Sequence, residues 1–144
     1  MALLSAQDQK VVQQHFASIA HDVTLLFFTQ TIGAPEGAMV AKQILDEVVP
    51  LSDRLRLEEA NFVLERERAA QYGVEDIPAV VLLRDGADTR MRFLGATAGY
   101  EFMSLIEAVA LAGSDDSGLS QNSKELVASH ATAPLEIKVF ATPT

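Results

Sequence analysis

The spacing of hydrophobic residues switches between a helical and a strand period several times within residues 1–113. Val12, Phe16 and Ile19 recur at helical spacing, whereas residues 23–28 (VTLLFF) form a continuous apolar run that is typical of a strand covered on both faces. The pattern predicts, in chain order, a helix over residues 5–20, a strand over 23–28, a helix over 38–49, an edge strand over 54–62, a short charged helix over 65–72, strands over 79–83 and 89–94, and a helix from Phe102 to near Gly113. Such an order indicates an α/β fold.

Turn-forming residues separate these predicted elements. Residues 29–37 (TQTIGAPEG) contain two glycines and a proline and predict a loop, and Gly73 suits a left-handed helix cap. Asp85-Gly86 between two strand-like runs predicts a hairpin. We therefore expect a parallel strand pair with a right-handed crossover, followed by an antiparallel pair.

The composition of the chain changes after residue 113. Residues 114–122 (SDDSGLSQN) are polar and predict a linker, residues 123–129 predict a short helix, and residues 135–142 (LEIKVFAT) alternate in character and predict a strand. The predicted division is a compact unit over 1–113, a linker with a short helix over 114–134, and the first strand of a following unit over 135–144.

Composition and charge exclude several classes of function. The chain has 144 residues, 49% of them hydrophobic, which suffices for the core of one domain. Its net charge of −9 repels phosphate backbones, so we expect no nucleic-acid partner. No apolar run reaches the roughly 18 residues of a membrane span, and the first residues lack the basic start of a secretion signal. We therefore expect a cytoplasmic protein with no membrane partner.

Short motifs in a fixed order carry a resemblance to a known family. They are Leu3-Leu4-Ser5, Leu51-Ser52-Asp53-Arg54-Leu55, Tyr72-Gly73-Val74, Ile77-Pro78-Ala79, Arg92-Phe93-Leu94-Gly95, Gly99-Tyr100-Glu101-Phe102 and residues 139–144 (VFATPT). In this order the chain resembles the N-terminal unit of the two-module protein disulfide oxidoreductases, also called glutaredoxin-like domain proteins. It is similar as well to the N-terminal domain of the flavoprotein subunit of alkyl hydroperoxide reductase. The resemblance implies a thioredoxin-like α/β fold: a central four-stranded mixed sheet flanked by helices, with an extra N-terminal helix and a C-terminal strand.

The place where the family keeps its CxxC motif contains no cysteine, and neither does the rest of the chain. A thioredoxin-type site needs a thiolate at a helix N-terminus, where the helix dipole and free N–H groups lower the pKa of the thiol. The matching window is Gly33, Ala34, Pro35, Glu36, Gly37 and Ala38. Anchoring on the strand puts the motif at Gly33 to Glu36, and anchoring on the helix puts it at Pro35 to Ala38. Neither alignment supplies a nucleophile, so we expect no catalytic residue, and Glu36 is interpreted as an acid that complements the helix dipole.

Ile77-Pro78 is the second feature that the resemblance brings. It implies a cis peptide bond beside the active-site loop, where the backbone of the preceding residue pairs with a bound extended peptide. Ile77 and Pro78 are therefore candidate peptide-binding residues. The alternative is that the proline only preserves a turn.

Other candidate chemistry is sparse. His15, His21 and His130 are scattered without metal-ligand spacing, so no metal site is predicted. Residues 95–99 (GATAG) precede a helix and could hold an anion, but we interpret them as the turn that lets the last helix pack on the sheet. No GxSxG elbow is present and no cofactor is implied.

Two functions from different classes remain open at the level of sequence. The first is a redox-inactive thioredoxin-like half of a larger thiol–disulfide oxidoreductase, which serves as a structural and partner-recognition module in cell redox homeostasis. Its partner would be a second, redox-active thioredoxin-like unit of the same parent chain, or a protein thiol. On this hypothesis the chain is an excised domain, not itself an enzyme, and a CxxC motif follows shortly after Thr144. The alternative is a free-standing thioredoxin-fold module that binds peptides or forms a homodimer.

Overall fold

The computed structural model describes residues 2–142 and shows one mixed sheet with helices on both faces. The helices are α1 (Ala6–Phe16), α2 (Glu36–Val48), α3 (Arg66–Gln71), α4 (Glu101–Ala112) and α5 (Gln121–His130). The strands are β1 (Val23–Thr29), β2 (Leu55–Asn61), β3 (Ala79–Arg84) and β4 (Ala87–Leu94). None of the helices in this part of the chain has the length and apolar character that crossing a membrane requires.

The sheet has the strand order β2-β1-β3-β4. β1 and β2 run parallel, whereas β3 is antiparallel to both β1 and β4. Phe28 of β1 is opposite Ala79 of β3, and Ala79 is opposite Leu94 of β4. Three strands therefore finish, and β3 begins, at the same end of the sheet, which we call the cis-proline end because Pro78 immediately precedes β3. The thioredoxin-like α/β architecture predicted from the sequence is confirmed.

The central strand β1 is buried on both faces, as its continuous apolar sequence predicts. Because side chains alternate along a strand, Leu25 and Phe27 pack on one face with residues of α1, α2 and α4. Leu26 and Phe28 pack on the other face with residues of β3 and with Ala69 of α3. β2 lies at the edge, in agreement with its alternating pattern.

The turn between β3 and β4 also follows the sequence. Asp85 and Gly86 both have positive φ, at 48° and 82°, which is the conformation of a tight type I′ hairpin. Gly73 has φ 64° just after α3, as a left-handed cap requires. Ser5 and Asp8 form a reciprocal capping box at the start of α1.

Several predicted boundaries need correction. α1 ends at Phe16, not at residue 20, and the chain then turns toward β1. α2 starts at Glu36, earlier than predicted, because the preceding Pro35 has a φ of −59° that suits entry into a helix. At its other end the chain continues past Val48 as a short 3-10 turn, Val49–Leu51, since proline is tolerated in the first positions of such a turn. α5 is longer than the predicted 123–129 because the Ser120 side chain accepts from the Ser123 N–H and starts the helix early.

The predicted strand over residues 135–142 does not form in the described chain. Leu135, Ile137 and Val139 are 77%, 81% and 83% exposed, and Phe140 is 91% exposed. A strand is stabilised by ladder hydrogen bonds and by burial of one face, and here the segment has neither of these from β1–β4. The alternating pattern therefore indicates a segment that could form a strand, but among the described residues it has no strand to pair with.

Candidate functional site

The predicted CxxC window lies between the end of β1 and the first turn of α2. Gly33, with φ 70°, and Ala34 belong to the connecting loop, and Pro35 is the residue immediately before the helix. Gln30 braces this loop by donating from its side-chain amide to the Gly33 carbonyl at 2.7 Å. Glu36 is exposed in the first helical turn, whereas Ala38 is only 4% exposed. The window is thus exposed from Gly33 to Glu36 and buried at Ala38.

The electrostatics of this helix start favour an anion. The N-terminus of a helix carries a partial positive charge, and no side chain caps that of α2. The carboxylate of Glu36 lies in the first turn, where its interaction with the helix dipole stabilises the helix by about 0.3–1 kcal/mol. A carboxylate cannot exchange disulfides, so this position stabilises the helix without providing thiol chemistry.

The cis-proline lies next to this window. The Ile77–Pro78 peptide bond is cis, as the resemblance predicts. The Pro78 carbonyl accepts from the Gly95 N–H at 2.8 Å, which ties the proline to the loop after β4. The Ile77 N–H donates to the Asp76 side chain at 2.9 Å, so one of the backbone groups that the peptide-binding prediction invokes has an internal partner.

The start of α2 packs against the same loop. A Cβ atom added to Gly37 would lie 3.3 Å from the Cβ of Ala96, one residue beyond Gly95. This close approach favours glycine at position 37. The helix start, the cis-proline and the loop after β4 are therefore held together at the cis-proline end.

Large apolar side chains are exposed around this end of the sheet. Ile32 of the loop and Met39 of α2 are 90% and 81% exposed, and Tyr100, just before α4, is 78% exposed. Leu94, the last residue of β4, is 64% exposed. Clustered exposed apolar residues are typical of interaction surfaces, whereas single ones are ordinary.

A cleft of about 660 Å³ runs beside the window, between α2, the loop after β1, and Glu59 of β2. Lys42 lies in it and forms ion pairs with Asp46 and with Glu59, the latter at 3.1 Å. Burial lowers the pKa of Lys42, but its hydrogen bonds to the two carboxylates more than offset this, so the pKa is raised. Lys42 is therefore a paired cation and a poor amine nucleophile at neutral pH.

The three histidines lie in different parts of the fold. His15 is in the last turn of α1 and His130 is in the last turn of α5. His21 lies at the opposite end of the sheet, where its ring contacts Asp85 and Asp115. Within residues 2–142, no group of three His, Cys, Asp or Glu side chains is placed to hold a metal ion. The contacts of His21 escaped sequence reasoning because its partners are 64 and 94 residues away along the chain.

Solved structures show what this geometry resembles. The NTD_N/C domain of alkylhydroperoxide reductase AhpF from Enterococcus faecalis matches with a TM-score of 0.78 and 28% identity, over 86% of this chain and 59% of that chain. A protein disulfide oxidoreductase from Aeropyrum pernix matches with a TM-score of 0.71 and 22% identity, over 85% of this chain and 53% of that one. No protein-family model and no curated protein matches the sequence.

The fold and the site together define a thioredoxin-like domain that lacks cysteine. Within that class, its structural neighbours include the N-terminal domain of AhpF and a protein disulfide oxidoreductase, and the missing thiols are consistent with a lost CxxC motif. The chain spans less than two thirds of the length of either of these two neighbours.

Proposed function

We propose that this domain is the redox-inactive half of a thiol–disulfide oxidoreductase, and that it supports and helps to position an adjoining redox-active thioredoxin-like unit. The similarity to AhpF and to the disulfide oxidoreductase supports this role, because a substantial part of each of those chains lies outside the matched region. Because the chain has no cysteine, it supplies no thiol for disulfide exchange, and the role that we propose for it is structure and recognition.

The observation that carries the proposal is the exposed apolar segment over residues 135–142. Its side chains alternate, so that Leu135, Ile137 and Val139 would share one face of a strand. Leaving such side chains in water forgoes about 1.5–3 kcal/mol for each one that could be fully buried. A neighbouring sheet that accepted this segment would satisfy its backbone groups and bury this face.

The redox part of the proposal is tested with the purified chain in an insulin-reduction assay with dithiothreitol. We expect no acceleration over the uncatalysed reaction, because no thiolate is present. Insulin-reducing activity that stays with the purified chain through successive purification steps would contradict the proposal. The downstream reading frame provides a second test: a CxxC motif shortly after codon 144 is expected, and a stop codon there would contradict the proposed parent protein.

The structural part is tested in the protein that includes the adjoining unit. Ile137→Asp places a charge on the apolar face of the segment and should lower disulfide turnover by disturbing the packing between the units. Glu136→Gln is the matched control, because the neighbouring position would point to the opposite face of a strand. Equal turnover in I137D, E136Q and the parent protein would remove the supporting role.

A second candidate function is favoured by the exposed apolar side chains of Ile32, Met39 and Tyr100 around the cis-proline end. They suit a module that binds extended peptides or a second copy of the chain. Sedimentation analysis and titration with an unstructured apolar peptide, followed by NMR, separate this candidate from the first. Dimerisation or binding abolished by Met39→Asp would favour it, and a monomer without amide shifts would contradict it.

A further inference from the structure

A charged network holds the start of the linker at the end of the sheet opposite the cis-proline. His21 lies between α1 and β1, Arg84 and Asp85 lie at the β3–β4 turn, and Asp115 lies just beyond α4. We call these four residues the His21 network. It joins two separate connections of the fold, α1–β1 and β3–β4, to the first residues of the segment that leads to α5.

The geometry around the His21 ring specifies its protonation state. Nδ1 lies 2.7 Å from a carboxylate oxygen of Asp85, and Nε2 lies 2.8 Å from a carboxylate oxygen of Asp115. Ionised carboxylates only accept hydrogen bonds, so both ring nitrogens must donate. Only the imidazolium form of histidine carries a hydrogen on both nitrogens.

Contacts that do not titrate near neutral pH fix the chain as far as Ser114. The Gly113 carbonyl accepts from the backbone N–H groups of Ala20 and His21 at 2.9 and 3.1 Å. The Ser114 carbonyl accepts from the Arg84 guanidinium at 2.9 Å. Asp115 is held by the protonated His21 ring and by the Arg84 guanidinium, so it is the first residue of the linker whose attachment depends in part on the proton of His21.

Loss of that proton acts on the two carboxylates unequally. Asp85 also accepts from the Asp22 N–H at 3.0 Å and sits in a tight turn. The Asp115 side chain is 74% exposed, against 55% for Asp85, and its other partner is Arg84. A neutral ring that keeps its Nδ1 hydrogen for Asp85 turns a lone pair toward Asp115, so the contact with Asp115 is the one that breaks.

The next linker residue, Asp116, connects the start of the linker to α5. Asp116 accepts from Ser114 Oγ through its carbonyl at 3.2 Å, and its carboxylate accepts from Lys124 Nζ at 2.7 Å. Lys124 lies in α5, so the start of the linker and the helix are connected by polar contacts. The position of Asp115 therefore influences the direction in which the chain leaves the domain.

We propose that His21 is a proton-operated latch on the linker. The protonated ring and Arg84 together fix Asp115 and with it the path of residues 114–120, whereas the neutral ring leaves Asp115 held by Arg84 alone and lets α5 and residues 135–142 change orientation relative to the sheet. This regulation concerns the linker of this chain and does not depend on the proposed redox partner.

The direction of the pH dependence follows from the charges around the ring. Hydrogen bonds to Asp115 and then to Asp85 raise the pKa of His21 above its ordinary value of 6.5, and the positive charge of Arg84 opposes this. The His21 contact in turn lowers the pKa values of Asp85 and Asp115 below 3.8. Beside them, Asp22 is paired with Arg54 at 3.2 Å. The latch is thus closed at pH 6.5 and below, down to the lowered pKa values of the two acids, and it opens as pH rises through the raised pKa of His21.

NMR titration of the full chain tests the latch. We expect His21 to titrate above 6.5, and the backbone amides of residues 114–120 to shift and to gain fast motion with the same midpoint. His21→Gln should abolish this transition, and Asp115→Asn should lower the pKa of His21. The matched controls are Asp53→Asn, in an exposed loop outside the network, and His130→Gln. Both variants should leave the transition of residues 114–120 and the pKa of His21 unchanged.

Three results would overturn the proposal. One is a His21 pKa at or below 6.5, and another is a set of linker amides without a transition at the His21 midpoint. The third is the persistence of that transition in H21Q. Because D115N alters only one exposed side chain, the change in the pKa of His21 in this variant tests the proposal even if H21Q proves unstable.

Discussion

At the scale of single residues, the window between β1 and α2 defines what the domain lacks. Pro35 is exposed and directly precedes the helix, and Ala38 is buried one turn further on. An attacking thiol must be exposed at the helix start, while its partner must lie within reach three residues later. Of the two alignments left open by the sequence, we therefore expect the one from Pro35 to Ala38 to be the position of a lost CxxC motif.

Restoring the cysteines tests this alignment. The double variant Pro35→Cys/Ala38→Cys should form an intrachain disulfide, and its exposed thiol should have a pKa below the ordinary value of about 8.5 because of the helix N-terminus. Gly33→Cys/Glu36→Cys is the control pair, since a side chain at φ 70° is strained by about 1–2 kcal/mol. Thiol titration and mass spectrometry measure both pairs. Ready disulfide formation in the control pair alone would favour the other alignment.

At the scale of secondary-structure elements, the β3–β4 hairpin is stabilised by a charged contact within β4. Asp88 accepts two hydrogen bonds from the Arg92 guanidinium, at 2.8 and 2.7 Å, and one from the Arg90 N–H at 2.8 Å. The register shifts between Val81 and Leu83 at this place, and Arg90 has φ 67°. The Asp88 carboxylate thus braces an irregular strand.

This contact predicts a pH dependence of stability. The hydrogen bonds with Arg92 lower the pKa of Asp88 from 3.8 to about 2. The contribution of Asp88 is therefore complete above pH 3.8 and is lost as pH falls through about 2. Asp88→Asn should lower the free energy of unfolding at pH 7 by about 1 kcal/mol, a value reduced for the partial exposure of the pair.

Urea unfolding of wild type and D88N at several pH values measures this contribution. The difference between the two proteins should shrink as the pH approaches 2, where the wild-type carboxyl becomes protonated. Asp53→Asn serves as the control outside the hairpin. A difference between wild type and D88N that stays constant down to pH 2 would exclude the ion pair as its origin.

The elements also show which parts of the structure the sequence could predict. β1 was predictable because a short uninterrupted apolar run with a β-branched start, such as residues 23–28, is typical of a strand buried on both faces. The Asp85-Gly86 turn was predictable because few residues adopt two consecutive positive φ angles. The His21 network was not, since it joins residues that only the tertiary fold brings together.

At the scale of the whole molecule, the chain divides into a well-packed domain and an exposed C-terminal part. β1–β4 and α1–α4 contribute the two core clusters, whereas α5 has no buried residue. Residues 135–142 were predicted as a strand because periodicity reports a tendency of the segment, and a strand also needs a partner to pair with. The position of the candidate site followed from the resemblance, but its close contact between Gly37 and Ala96 did not, because it depends on packing between distant loops.

Backbone hydrogen exchange over residues 135–142 tests most directly our proposal that this thiol-free domain contributes a strand to an adjoining unit. In the chain by itself these amides should exchange at the rate of an unstructured peptide, because their side chains are exposed and no strand forms there. In the protein that includes the adjoining unit, the amides of alternate residues should be strongly protected. Equal, fast exchange in both proteins would contradict the account.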